Sequence, residues 1–165
     1  MDIKIDLDEK IKELINKTVL NISSVEKVQA GVKANATYKD GTSMHEVALK
    51  NEFGGTTTDK DGKNHIIPPR PFLRNAKKQN LRKWFKVFIK EARKNQTPQN
   101  IAKEIGATMK ADIVKSIHSN TPPPNAKMTI QAYKEKYKKG KKKTLIFSGE
   151  MVQNIDFEIF IKNKE

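Results

Sequence analysis

The sequence predicts an α+β fold in which long amphipathic helices pack on a small antiparallel β-sheet, with extended loops between them. Three observations lead to this fold class. Apolar residues recur at three- and four-residue steps in two long segments, which is the spacing of one helix face. Near the C-terminus they alternate with polar residues, as in a half-buried strand. The length of 165 residues fits one domain, residues 1–165, that can bury a core of moderate size.

Residues 1–42 are expected to contain a helix followed by strands. Asp8 can cap a helix over residues 8–20, and four apolar residues of that segment share one helix face. They are Ile11, Leu14, Ile15 and Val19. Spaced valines over residues 25–32 and the stretch 34–38 then precede Asp40-Gly41, a dipeptide typical of a tight turn. We therefore expect a strand pair here.

A short helix is expected to begin after Ser43. Ser43 and Glu46 form the S-x-x-E pattern, in which each side chain accepts a hydrogen bond from the other residue's free backbone amide. Gly54 can end this helix in a left-handed conformation. Residues 56–64 are polar and rich in turn-forming residues, which predicts a loop or the tip of a hairpin.

Residues 66–74 hold three prolines within four positions, which excludes a regular helix or a central strand there. Pro71 suits the first position of the helix that follows. That helix combines an apolar stripe, which we expect to face the core, with a basic outer face. The stripe consists of Leu81, Trp84, Phe85, Phe88, Ile89 and Ala92. The basic residues are Lys77, Lys78, Arg82, Lys83, Lys86, Lys90, Arg93 and Lys94.

A second long helix is expected to begin at Thr97-Pro98 and to end before the proline triplet at residues 122–124. Its predicted buried stripe is Ile101, Ile105, Met109, Ile113 and Ile117. Residues 128–137 suit a short exposed helix, and residues 138–143 a basic loop. After a turn at Gly149, a half-buried strand is predicted from alternating apolar residues. These are Ile155, Phe157, Ile159 and Ile161.

Composition limits the classes of function. The chain has no cysteine, which excludes a disulfide framework, a thiolate metal site and a cysteine nucleophile. We find neither a signal-peptide core nor an apolar stretch near the ~20 residues of a membrane span, and expect no membrane partner. Lys and Arg total 33 against 19 Asp and Glu, a net charge of +14. Such an excess suits an anionic partner or a solvated, lysine-rich surface.

Catalytic patterns are weak. The histidines at positions 45, 65 and 118 have neither metal-ligand spacing nor an H-E-x-x-H pattern. A calcium loop at Asp59-Lys60-Asp61-Gly62 fails, because its last ligand position would fall on Pro68. We therefore expect no enzymatic activity, no metal and no cofactor. Nucleic-acid binding is a better alternative, since aromatic residues lie close to a run of cations. Its candidate contacts are Lys138, Lys139, Lys141, Lys142 and Lys143.

Two blocks of the sequence resemble a phage family. Residues 46–55 read EVALKNEFGG, and residues 67–74 read IPPRPFLR after a loop. Residues 143–155 read KTLIFSGEMVQNI. In order and spacing these are similar to the N/H-E-F-G, I-P-x-R-P-F-L and K-x-L-I-x-T/S-G-x-L-x-x-S-I elements of the virion morphogenesis or tail-completion family. The resemblance covers residues 43–161, and residues 1–42 show no resemblance to the family. Met151 and Asn154 depart mildly from the family's leucine and serine. The segment at residues 122–124 is richer in proline than that of the family.

The resemblance implies a structural, non-enzymatic subunit that acts where the phage head joins the tail or where the tail tube ends. It implies a ring of identical subunits, often six, with head-connector or tail proteins as further partners. The expected location is the neck or tail of the virion, and the host cytoplasm during assembly. Candidate subunit contacts are Glu52, Thr56, Asp59, Arg70 and Arg74.

Packing is the alternative role for the residues of the first block. In that interpretation, Phe53, Phe72 and Leu73 are core anchors, and Arg70 pairs locally with Glu52. For the whole chain, the alternative function is that of a basic nucleic-acid-binding protein of phage or prophage origin.

Overall fold

A computed structural model of the chain describes residues 24–59, 61–94, 96–119, 121–137, 144–146 and 148–162. Within them the elements follow in the order β1 (Val25–Val32), α1 (Met44–Phe53), β2 (Gly55–Thr58), β3 (Asn64–Ile67), α2 (Phe72–Arg93), α3 (Pro98–His118), α4 (Lys127–Tyr137), α5 (Glu150–Gln153) and β4 (Ile155–Ile161). Long helices accompany two small antiparallel sheets, which confirms the predicted fold class. The predicted helix over residues 8–20 lies outside the described residues.

The strand β1 pairs with β4, from the other end of the described chain. Val25 lies opposite Ile161, and Val32 lies opposite Ile155. Of the strand pair expected in residues 25–42, the first strand forms, but its partner is β4 and not a neighbouring segment of this region. The Asp40-Gly41 turn does form, with Gly41 at φ 83°, but the segments on its two sides pair only through an isolated bridge between Thr37 and Ser43. A second strand cannot continue past this bridge because Ser43 already caps α1.

Both ends of α1 follow their predicted signals in part. The Ser43 hydroxyl accepts a hydrogen bond from the Glu46 amide at 3.3 Å, as expected of the cap. The Glu46 carboxylate does not complete the reciprocal bond and instead pairs with Lys50 at 2.6 Å, one helical turn ahead. Gly54 ends the helix at φ 82° and ψ 172°, so its φ is positive but its ψ lies outside the left-handed helical region, in a part of backbone space that only glycine readily occupies. A Cβ atom there would lie 3.1 Å from the Ile67 carbonyl oxygen.

The core lies between α2, α3 and the β1–β4 sheet. Its buried cluster consists of Ala48, Phe72, Ala76, Ile113, Ile117, Met151 and Ile155. Gly106 in α3 lets the helix approach the sheet closely, because a Cβ atom at this position would overlap the Phe157 ring. Side chains from α1, α2, α3, α5 and β4 thus share one apolar interior.

The predicted buried stripe of α3 is confirmed. Ile101, Ile113 and Ile117 are buried, and Ile105 and Met109 are half-buried. Thr97 caps this helix by accepting a hydrogen bond from the Asn100 amide.

The alternation predicted for the last strand appears in β4 only in part. Ile155 is buried, Phe157 and Ile159 are half-buried and Glu158 between them is exposed, but Asp156 and Phe160 are also half-buried, and Ile161 at the strand end is exposed. The predicted short helix over residues 128–137 forms as α4.

The orientation of α2 differs from the prediction. Trp84 and Ala92 are buried as expected, but Leu81 and Phe85 are 54% and 64% exposed. The helix is apolar on two adjacent faces, and α3 covers the one that contains Phe72, Ala76 and Trp84. The indole nitrogen of Trp84 donates to the Asp112 carboxylate of α3 at 2.8 Å, which fixes this rotation. The prediction that Leu81 and Phe85 face the core is therefore wrong. The helix begins at Phe72, one residue after the predicted Pro71.

In the part of the chain that the structure describes, we find no helix with the length and apolar character needed to cross a membrane.

Candidate functional site

Glu52, in the last turn of α1, is buried against the start of α2. Its carboxylate accepts hydrogen bonds from the backbone amides of Leu73 at 2.9 Å and Arg74 at 3.0 Å. The first amides of a helix have no partner within it, and the helix dipole favours negative charge there. One side chain thus caps the neighbouring helix and sets the angle between α1 and α2.

Arg74 lies on the exposed side of this junction. Its Nε atom donates to the Glu52 carboxylate at 2.9 Å, and its Nη2 atom donates to the Glu52 carbonyl oxygen at 2.6 Å. Its guanidinium carbon lies 4.9 Å from the centre of the Phe53 ring, a cation–π contact. Phe53 is 63% exposed, so its predicted role as a core anchor is wrong. Phe72 is fully buried, which confirms that role for the second phenylalanine.

Arg70 binds the proline-rich segment. Its Nε atom donates to the Pro123 carbonyl oxygen at 2.8 Å, and its Nη2 atom donates to the Pro124 carbonyl oxygen at 3.0 Å. Its side chain is nearly buried, and burial lowers the pKa of the guanidinium from its usual value. The alternative that Arg70 pairs with Glu52 is therefore wrong, because Arg74 takes that place.

The proline-rich segment is also anchored before and after the prolines. The Thr144 hydroxyl donates to the Thr121 carbonyl oxygen at 2.9 Å, and both threonines are buried. Close by, the Ser116 hydroxyl of α3 donates to the Phe72 carbonyl oxygen at 2.8 Å. The Ser116 bond and the two Arg70 bonds join the region where α2 begins to residues that lie 44 or more positions later in the sequence.

The strands β2 and β3 form a hairpin whose outer surface is open. All four residues of β2 are exposed, and Ile66 in β3, opposite Thr56, is 84% exposed. Asp59 organises the tip by accepting hydrogen bonds from the amides of Asp61 and Lys63 at 3.0 and 2.9 Å. The Nε2 atom of His65 lies 2.6 Å from the Asp59 carboxylate. This hydrogen bond, followed by the one from the Lys63 amide, lowers the pKa of Asp59.

A groove of about 530 Å³ lies between this hairpin, α1 and the segment after the prolines. Its wall includes Val47, Ile67, Pro68, Leu145, Ile146 and Met151. The Tyr38 phenol also faces it, and burial, followed by the nearby Glu150 and Asp40 carboxylates, raises the pKa of that phenol. The groove is thus lined mainly by apolar side chains of the two sequence blocks.

The five predicted subunit-contact residues all lie around this junction and hairpin. Glu52 and Arg70 are buried with partners in their own chain, Thr56 and Arg74 are exposed, and Asp59 is partly exposed at the hairpin tip. Their contact with another subunit stays a prediction. The predicted nucleic-acid contacts, Lys138, Lys139, Lys141, Lys142 and Lys143, lie outside the described residues.

Two exposed apolar side chains at this site, Phe53 and Ile66, were not among the predicted contact residues. The sequence holds a signal for Ile66, since a two-residue period over His65, Ile66 and Ile67 places neighbouring side chains on opposite faces of a hairpin. Phe53 has no comparable signal, because its exposure depends on the packing angle between α1 and α2.

Among residues 24–162, apart from the positions left undescribed, no cluster of three or more histidine, aspartate or glutamate side chains is arranged to hold a metal ion. Comparisons of the chain with protein-family models, curated proteins and solved structures found no match.

Proposed function

We propose that this chain is a structural subunit of phage virion assembly that acts at the head–tail junction or the tail terminus. The observation that carries the proposal is the packing of the two family-like blocks into one core. Ala48 and Phe72 from the first block meet Met151 and Ile155 from the second in the buried cluster. Blocks far apart in the sequence therefore build a single body, as expected of a subunit that docks as a unit.

The hairpin β2–β3 is the proposed contact arm toward the next subunit. A ring of identical subunits needs a heterologous interface, in which one patch of a subunit meets a different patch of its neighbour. The hairpin offers such a patch because Ile66 is 84% exposed and a two-stranded hairpin by itself is only marginally stable in water. Contact with a neighbouring subunit would bury Ile66 and the threonines of β2.

Glu52 and Arg70 act in this proposal as positioning residues. They flank the hairpin in sequence, and each forms hydrogen bonds that tie its backbone region to another element. The hairpin thus projects from a junction that is fixed by buried polar contacts. Thr56, Asp59 and Arg74 remain the proposed residues of direct contact.

Light scattering of the full chain over a wide range of concentrations tests the proposal. We expect an oligomer for the wild-type chain, and monomers or much weaker association for Ile66→Ser with an unchanged circular dichroism spectrum. Leu49→Ser is the matched control, since Leu49 is an exposed apolar residue of α1 at 46%. A wild-type chain that stays monomeric, together with normal head–tail joining in phage that lack the protein, would contradict the proposal.

Nucleic-acid binding through the lysines of residues 138–143 is the second proposed function, favoured by the net charge of +14. Affinity for DNA should fall steeply with salt, because bound counterions are released. Replacing Lys138, Lys139, Lys141, Lys142 and Lys143 together by glutamine should remove most of the binding measured by fluorescence anisotropy. Unchanged affinity in that variant would refute this second function.

A further inference from the structure

The helix α2 carries a second apolar stripe that the core does not cover. Leu81 and Phe85 are 54% and 64% exposed, and Phe88 and Ile89 are half-buried beside them. The rings of Phe85 and Phe88 are stacked, with their centroids 6.1 Å apart. Leu81, Phe85 and Phe88 follow one another at steps of four and three residues, the spacing of a seam that packs against another helix, and the buried Ala92 ends the uncovered stripe four residues later.

Cations surround this stripe. The helix and its C-terminal cap contain nine cationic residues and one acidic residue. Lys83 and Lys94 pair with Asp112 and Glu91, and Arg74 pairs with Glu52. The other six cations are exposed and form no ion pair with any carboxylate that the structure describes. They are Lys77, Lys78, Arg82, Lys86, Lys90 and Arg93.

The packing of the other face keeps the stripe turned outward. Trp84 is buried and donates to Asp112 at 2.8 Å, and the Lys83 ammonium group lies 2.6 Å from the same carboxylate. Rotating the helix to bury Leu81 and Phe85 would break both bonds and leave Asp112 buried without its partners. Such a rotation is strongly disfavoured, because a buried carboxylate without partners is unfavourable.

We propose that this face of α2 docks an amphipathic helix of a partner protein, one whose own apolar seam is bordered by carboxylates. The heptad spacing matches a helical partner, and a shallow groove of about 510 Å³ between Phe85, Ile89 and Arg93 can take its side chains. The border of unpaired cations selects for acidic flanks. A second copy of this chain would instead place six cations against six.

Nucleic acid fits this face less well than an acidic helix does. Leu81 and Ile89 are aliphatic, and the Phe85 and Phe88 rings stack on each other with Phe88 half-buried, so the face presents little open ring surface for base stacking, the main contact of single-strand binders. The inference goes beyond the proposed assembly role and does not require ring formation, because it concerns a different surface from the β2–β3 hairpin.

Calorimetric titration of the full chain with two designed helical peptides tests the inference. Both peptides span about three heptads with leucine at the seam positions; one carries glutamate and the other lysine at the flanking positions. We expect the glutamate peptide to bind and the lysine peptide not to bind. Leu81→Ser/Phe85→Ser should weaken binding by about tenfold or more, as for central interface residues.

Charge variants provide the second readout. Arg82→Glu/Lys86→Glu should weaken binding of the glutamate peptide by about tenfold or more. The matched controls are Lys103→Glu/Lys115→Glu, which reverses two exposed cations of α3, and Ile66→Ser, which removes an exposed apolar residue of the hairpin. Neither control should change the affinity. Circular dichroism of each variant should match that of the wild type.

Several results would overturn the inference. They are absence of glutamate-peptide binding, equal binding of both peptides, or binding that survives Leu81→Ser/Phe85→Ser. Two further results would assign the stripe to another occupant: single-stranded DNA or anionic vesicles that bind through it in place of the peptide, or a homo-oligomer that only Leu81→Ser/Phe85→Ser dissociates. Failure of the ring proposal would appear separately, as a wild-type chain that shows no Ile66-dependent self-association but still binds the glutamate peptide.

Discussion

Glu52 shows how one residue can determine local geometry. It is a charged residue near the end of an apparently ordinary helix, yet it is 2% exposed and caps the first amides of α2. Glu52 lies within the first family-like block, and the sequence predicts that it contacts another subunit. The structure places its contacts within its own chain, and a carboxylate rather than an amide is needed because the Leu73 amide, the Arg74 amide and the Arg74 guanidinium all donate hydrogen bonds to it.

Glu52→Gln is expected to lower the free energy of unfolding by about 1–3 kcal/mol, because the amide NH₂ group would face donors. Urea denaturation followed by circular dichroism measures the loss. Glu46→Gln is the matched control in the same helix, since Glu46 forms an exposed pair with Lys50 and its replacement should change the free energy of unfolding little. Equal effects of the two substitutions would contradict the capping role of Glu52.

At the scale of elements, the close contact between α3 and the β1–β4 sheet depends on a glycine, which has no side chain. Gly106 lies in the middle of α3, where glycine is unfavourable for a helix by about 1 kcal/mol. The close approach of Phe157 explains why glycine stands there. The apolar periodicity predicted which face of α3 is buried, but the distance of the helix from the sheet follows only from this packing.

Gly106→Ala is expected to destabilise the protein by about 1–3 kcal/mol in spite of its higher helix propensity, because the added methyl group overlaps the Phe157 ring. Gly31→Ala is the control, since nothing lies within 4 Å of a Cβ atom there. It should change stability by no more than about 0.5 kcal/mol. Chemical denaturation compares the two variants, and a stabilised Gly106→Ala protein would show that α3 and β4 do not pack this closely.

For the whole molecule, Arg70 joins parts that are far apart in the sequence. Its two bonds to the proline-rich segment span 53 and 54 residues, and they connect the end of the hairpin to the chain that precedes α4. Because the guanidinium group donates to two carbonyls at once, lysine is not an equivalent replacement. The arrangement of the hairpin and the groove relative to the core therefore depends on this side chain.

Arg70→Met is expected to free residues 121–126 from the start of α2 and to raise the hydrogen exchange of the Thr121, Asn125 and Ala126 amides by about tenfold or more, because local opening loses two charge-assisted bonds. Mass spectrometry of peptides that cover residues 121–137 measures the change. Arg82→Met, which removes an exposed arginine that pairs with no carboxylate among the described residues, should leave exchange in this segment as in the wild type. Equal exchange in both variants would show that Arg70 does not anchor the segment.

The sequence by itself determined the fold class, the buried stripe of α3, the Ser43 cap of α1 and the turn at Asp40-Gly41, because each depends on residues close together in the chain. Tertiary structure alone decided the partner of β1, which lies more than a hundred positions away. It also decided that Arg74 rather than Arg70 pairs with Glu52, and that the face of α2 with Leu81 and Phe85 turns toward solvent. A helix with two apolar faces is ambiguous in sequence, and here the buried Trp84–Asp112 hydrogen bond selects the face that turns inward.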